Sequence, residues 1–185
     1  RFFEVWTRRE AQAKRTGTPL AAAFAARPVR ILRLVASGSS YNAALCVRPY
    51  LRKWLDCEVL VTEPFTFCAY ESRLPADELA VVISQSGYST NALHALDTIR
   101  AKGRTAIGIT SDPGSDFRTH ADLLIDYGCG QESVGYVTMG VTALCLFLCL
   151  FALRSAHLSG RLSEDGLAAE RQKLAQWADA YEQAI

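Results

Sequence analysis

The chain has 185 residues, half of them hydrophobic and about a fifth charged, with 20 Lys and Arg against 19 Asp and Glu for a net charge of +1. That length and composition fit one soluble α/β-sized domain with a single core, and exclude a disordered or collagen-like chain. The even charge balance gives no electrostatic basis for holding nucleic acid or an acidic membrane surface, so any anion it holds must be small and gripped by local geometry.

The six cysteines, Cys46, Cys57, Cys68, Cys129, Cys145 and Cys149, show no CxxC spacing and no histidine cluster beside them. A metal centre is therefore not expected, nor is any cofactor. Most lie within apolar periodicity, where a reduced cysteine is a small hydrophobe, and no signal peptide is visible, so a cytoplasmic location is the expectation.

In chain order, residues 1–15 and 19–26 read as helices split by the turn signal "TGTP". Five short apolar, partly β-branched runs follow: "RILRLVA", "CEVLVT", "ELAVVIS", "TAIGIT" and "DLLIDY". Helical patterns separate them at residues 41–55, 65–72 and 90–102, while "SDPGSDFRTHA" reads as turn chemistry with at most a short helix. Two long helices close the chain, at 138–155 and 163–184. The segment "MGVTALCLFLCLFAL", 139–153, falls short of the about 20 apolar residues that cross a bilayer and reads as a core or interface helix. Continuous apolar strands alternating with helices predict a three-layer doubly wound sandwich, a five-stranded parallel sheet flanked by helices, of flavodoxin-like type.

In that architecture ligands bind beyond the carboxyl ends of the strands, where the strand order reverses. Two stretches without charge fall at such ends: "SGSS", residues 37–40, after the first strand, and "SQSGYS", 84–89, after the third. Each precedes a helix, whose N-terminus offers unpaired N–H groups and the positive end of the macrodipole. Ser39, Ser40, Ser84, Ser86 and Ser89 add hydroxyl donors, and Gly38 and Gly87 let the backbone approach closely. At roughly 1.5–3 kcal/mol per hydrogen bond to a charged oxygen, four or five could hold a phosphate monoester without Lys or Arg. Ser40 and Ser89 also read as plain N-caps. The chain has no G-x-x-x-x-G-K-[ST], no G-x-G-x-x-G and no G-x-S-x-G, and nothing in the spacing of His94 or His120 supports a nucleophilic triad.

The motifs "SGSSYNAA", "ISQSGYSTN" and "GCGQESVGYVTMGVTAL", in order after the expected strands, resemble the sugar isomerase (SIS) family of phosphosugar-binding domains over residues 29–153. Within the family they are similar to the first SIS half of the glucosamine-6-phosphate synthase isomerase module, and to fructosamine-6-phosphate deglycases and tandem-SIS phosphosugar isomerases. The resemblance implies that Ser40, Ser84, Gln85, Ser86 and Ser89 hold the phosphate of a hexose or amino-sugar 6-phosphate. It implies that Glu132, Gly135, Val137 and Thr138 border the sugar. Met139 replaces the family's usual lysine, and Tyr88 stands where the synthase carries an acid. The proton-transfer residues of the tandem proteins belong to the second half, which has no counterpart in this sequence.

The expected layout is a helical segment at 1–28, an SIS domain at 29–160 and a connector helix at 161–185. The expected partner is a second SIS domain or a second copy of the chain, with no nucleic acid and no membrane. Three functions stay open: the phosphate-binding half of an isomerase or deglycase, a self-sufficient single-SIS isomerase using Glu132 as base, and a non-catalytic sugar-phosphate sensor. Glu132 and Glu63 are the carboxylates expected near the site, and catalysis needs a base over the sugar carbons.

Overall fold

The computed structural model describes residues 17–130 and 139–183, with side chains through residue 176. The expected helix at 1–15 lies outside the described residues. Helix α1 covers residues 17–25, starting two residues earlier than expected, because Pro19 is tolerated in a first turn whose N–H groups lack intrahelical partners anyway.

Five strands follow: β1 (Ile31–Ala36), β2 (Glu58–Thr62), β3 (Glu78–Ile83), β4 (Ile107–Thr110) and β5 (Leu123–Asp126). All pair in parallel, in the order β2-β1-β3-β4-β5. β1 lies between β2 and β3, with Ile31 opposite both Glu58 and Glu78. The chain therefore builds outward from β1 to β2, returns past β1, and builds the other way from β3. Right-handed crossovers moving in opposite directions place their helices on opposite faces.

The packing follows that rule. On one face Leu32, Leu34, Val81 and Ile83 meet α1, helix α2 (Gly38–Trp54) and helix α6 (Met139–Leu158). On the other, Val35, Ala80 and Val82 meet the segment after β2, helix α4 (Thr90–Ala101) and the short helix α5 (Phe117–His120). The segment after β2 is one α-turn, α3 (Pro64–Thr66), that widens into a π-turn over Phe67–Glu71. β3 is buried along its whole length, as expected of a strand covered on both faces.

α6 is longer than its sequence pattern predicts. It spans 20 residues and is long and apolar enough to cross a membrane by length and composition. Its apolar surface is instead spent inside the protein: 72% of its most apolar window is buried. Phe147 and Phe151 are fully buried, Phe151 meeting Phe24 edge-on at 5.8 Å between ring centroids. Ala43, Ala44 and Val47 of α2 give α6 a small-residue surface to lie against. Helix α7 (Glu164–Gln183) then returns over the same layer through Leu167 and Leu174, with Ser163 capping it by accepting from the Gly166 N–H at 3.1 Å.

Candidate functional site

The reversal of strand order lies between β1 and β3. Ala36 and Ile83, the last residues of these strands, are direct partners, so the loops leaving them start one strand spacing apart, about 4.8 Å. These are the two serine-rich stretches, and each feeds a helix N-terminus at once.

On the β1 side, Ser37 and not Ser40 is the N-cap of α2, in extended conformation and with no side-chain capping bond. Gly38 turns the chain with φ +56°, and a side chain there would meet nothing within 4 Å, so this corner is open. Ser39 and Ser40 fall within the first helical turn; Ser40 is only 7% exposed. The first turn of α2 carries no acidic residue, so no side-chain charge occupies the positive end of its macrodipole.

On the β3 side, Ser84 is buried and its Oγ accepts from the Gly87 N–H at 3.2 Å, leaving its own proton to donate. Ser86 is exposed, with its Oγ taking the Tyr88 N–H at 3.4 Å. Ser89 is the N-cap of α4, as expected, but its hydroxyl makes no capping bond, and the first turn of α4 is likewise free of acids.

The backbone of this second loop is fixed from behind by the loop after β4. The Gln85 carbonyl accepts from Thr110 Oγ1 (3.0 Å), Ser111 Oγ (2.8 Å) and Ser111 N–H (2.9 Å). Thr110 and Ser115 are both buried polar groups. Gly87, at φ +70°, passes so close to Ser115 that a Cβ would stand 2.0 Å from its Oγ. The Gln85 side chain meets the start of α6, where a Cβ on Gly140 would lie 2.4 Å from Nε2. The loop after β4 and Gly140 were not singled out in the sequence; the available signal was a third run of hydroxyls after a strand, "TSDPGS".

Glu132, Gly135, Val137 and Thr138 lie outside the described residues. Glu63, exposed at the N-cap of α3, does stand at the carboxyl edge of the sheet. It is joined there by two acids the sequence reading passed over. Asp126 closes β5 and accepts from the Gly128 N–H at 2.7 Å. Asp112 accepts from the Gly114 N–H at 2.9 Å and from the exposed Tyr88 hydroxyl at 3.4 Å. The Asp112 carboxylate pushes the Tyr88 phenol above its ordinary pKa. The loops 37–41, 84–90 and 111–116 contain no Lys or Arg.

The histidines sit elsewhere. His94 is exposed midway along α4, and His120 pairs with Asp97 at 2.8 Å just before β5 enters the sheet, at the opposite end from the serine loops. His157 Nδ1 meets the Leu162 carbonyl oxygen at 3.0 Å. Among the described residues no group of three or more His, Cys, Asp or Glu is placed to hold a metal ion.

One buried charge cluster was also invisible in the apolar run of β1. Arg33, 7% exposed, donates from Nε to Glu78 at 2.5 Å, from its guanidinium to Thr62 Oγ1 at 3.0 Å, and also to Glu71. It lies over the Phe67 ring and ties β1, β2, β3 and the π-turn together beneath the site. Its partners are satisfied within the fold, so its role is structural.

The site is thus a cation-free pocket rim built from two acid-free helix N-termini and uncharged hydroxyls at the switch point of an open parallel sheet, a construction suited to a small anion. Residues 28–154 match the SIS domain model, and the chain belongs to the SIS-domain family. It is 29% identical over 160 residues to the glutamine–fructose-6-phosphate aminotransferase [isomerizing] of Bradyrhizobium diazoefficiens, covering 82% of this chain and 25% of that protein. The fold is shared with the C-terminal domain of glucosamine-fructose-6-phosphate aminotransferase from Francisella tularensis (TM-score 0.76, 20% identity, 97% of this chain and 54% of that one). It is shared too with a sugar-phosphate-isomerase-like fold of near-equal length, a protein from Escherichia coli CFT073 (TM-score 0.67, 14% identity, 92% of this chain and 94% of that one). The chain thus spans about a quarter of the curated aminotransferase and about half of the solved aminotransferase domain.

Proposed function

We propose that this chain binds a phosphorylated sugar, a hexose or amino-sugar 6-phosphate, as the phosphate-binding SIS half of a sugar-phosphate isomerase or deglycase. The observation that carries the reading is the pairing of two helix N-termini, α2 and α4, neither offset by an acid, across one strand spacing. The ester oxygens would take N–H groups from both helices and hydroxyl protons from Ser40, Ser84, Ser86 and Ser89. Gln85, braced against Gly140, closes the third side. At roughly 1.5–3 kcal/mol each, a handful of such bonds holds the phosphate without a cation.

Serine hydroxyls cannot move a proton between sugar carbons; that needs a base held over the carbons and a donor at the carbonyl oxygen. Glu63, Asp112 and Asp126 are the described carboxylates at this edge, and Asp112 and Asp126 are engaged with their own loops. The chemistry is therefore assigned to groups supplied by a second SIS unit, in the same polypeptide or in a second copy. The fraction of the aminotransferases that the chain spans supports this view.

A thermal-shift series tests the proposal, because a ligand that binds only the folded state raises Tm by mass action. Inorganic phosphate and several hexose 6-phosphates raise Tm, and the parent sugars do not. Equal shifts with neutral sugars, or none with any phosphate, would reject it. Turnover of a ketose phosphate by this chain alone would replace the half-site reading with the self-sufficient one.

A further inference from the structure

Helices α2 and α6 lie side by side, and three cysteines mark their contact. Cys145 of α6 points its Sγ at the Ala43 carbonyl oxygen of α2, 3.8 Å away. In an α-helix that carbonyl is directed along the axis toward residues three and four further on. The oxygen that Cys145 touches is therefore aimed at Cys46, on the same side of α2 and one turn later. The next turn repeats the register, with Cys149 of α6 within electrostatic reach of Tyr50 of α2. The two helices run in the same direction, and this alignment matches Cys46 with Cys145 and leaves Cys149 facing Tyr50. Cys46 is exposed and Cys145 half-buried, so one thiol of the pair meets solvent directly and the other waits behind it.

We propose that Cys46 and Cys145 form an oxidisable pair, which a low-molecular-weight disulfide converts into an intrachain bridge bracing α2 against α6. The Cys46 thiolate attacks the small disulfide, breaking its S–S bond, forming a mixed disulfide and releasing one small thiolate. The Cys145 thiolate then attacks the Cys46 sulfur, forming the protein bridge and releasing the second small thiolate. The two cysteine protons pass to the two released thiolates, so two protein thiols are oxidised and one small disulfide is reduced. Burial pushes the Cys145 thiol up to about 11, so the second step is the slow one and quickens as pH rises. Both helices begin at the candidate anion site, α2 with Ser39 and Ser40 and α6 with Gly140 against Gln85. The bridge would tie those two walls together a few turns below it.

The test is to incubate the full chain with oxidised glutathione at about pH 8.5, block remaining thiols, and map disulfides by intact mass and peptide analysis. The expected product is monomeric, about 2 Da lighter than the reduced chain before blocking, with a Cys46–Cys145 linked peptide. Cys46→Ser removes that link, and Cys149→Ser, which leaves the pair untouched, keeps it. Cys46 remaining reduced, stopping as a stable glutathione adduct, or joining Cys149 or a second chain would overturn the proposal.

Discussion

Gly87 and Ser115 share one small volume: Gly87 holds φ +70°, and the Cβ it lacks would stand 2.0 Å from Ser115 Oγ and 2.6 Å from Ser115 Cβ. The residue that shapes the second serine loop is thus constrained twice, by backbone conformation and by a neighbour from another loop. Gly87→Ala should cost about 2–4 kcal/mol in urea unfolding, combining left-handed strain with overlap. Adding Ser115→Gly should recover only the overlap part, because the φ requirement stays. A loss below about 0.5 kcal/mol for the single change would show that the loop has room to move.

Gln85 and Gly140 form a softer version of the same arrangement. A Cβ on Gly140 would meet the end of the Gln85 side chain, a group able to swing away, so Gly140→Ala should leave Tm within a few degrees of the wild type. The displaced amide would no longer close the anion site. Affinity for a hexose 6-phosphate, read by calorimetric titration, should fall roughly tenfold, in line with one hydrogen bond to a charged oxygen. Unchanged affinity would remove Gln85 from the site.

Arg33 is held between two carboxylates of unequal exposure: the Glu78 side chain is 2% exposed and that of Glu71 42%. Arg33→Met strands Glu78 in the core and should cost about 3–5 kcal/mol. The double change Arg33→Met, Glu78→Leu removes both charges and should return to within about 1 kcal/mol of wild type, since the stranded charge and not the lost pair dominates. Equal losses in the single and double variants would contradict this.

Cys149 makes alkaline stability readable. Burial first, and the neighbouring Cys145 second, push its thiol from an ordinary 9.0 up to about 12. The folded chain then keeps this proton longer than the unfolded chain. Its contribution is complete below pH 9 and is lost as pH rises toward 12, at a slope of up to about 1.4 kcal/mol per pH unit. Denaturation between about pH 8 and pH 11 should show wild type losing stability more steeply than Cys149→Ala. Parallel profiles would mean that the thiol titrates freely.

Much of the fold was legible because each apolar run is buried on both faces, and such runs end where polar residues begin. All five became strands with ends shifted by only a residue or two. The serine loops were legible for the same reason: "SGSS" and "SQSGYS" are polar interruptions that open helices. What stayed hidden depends on contacts between distant segments. Ser40 read as a cap or loop residue, yet Ser37 takes the cap because the helix starts at Gly38. "TSDPGS" read as turn chemistry, while its Thr110, Ser111 and Ser115 hold the Gln85 and Gly87 backbone some 25 residues away, a link with no local signature. Arg33 looked like an oddity in a hydrophobic strand until Glu78 and Glu71 arrived from β3 and the π-turn. Likewise, α6 runs beyond its apolar stretch because Ser155 and Ala156 are fully buried as well.

The most direct measurement is a crystal of this protein soaked with a hexose 6-phosphate. The account predicts phosphate density bridging the first turns of α2 and α4, within hydrogen-bond distance of Ser40, Ser84, Ser86 and Ser89 and of no Lys or Arg. A phosphate seated elsewhere, held by basic side chains, with these corners empty, would contradict it.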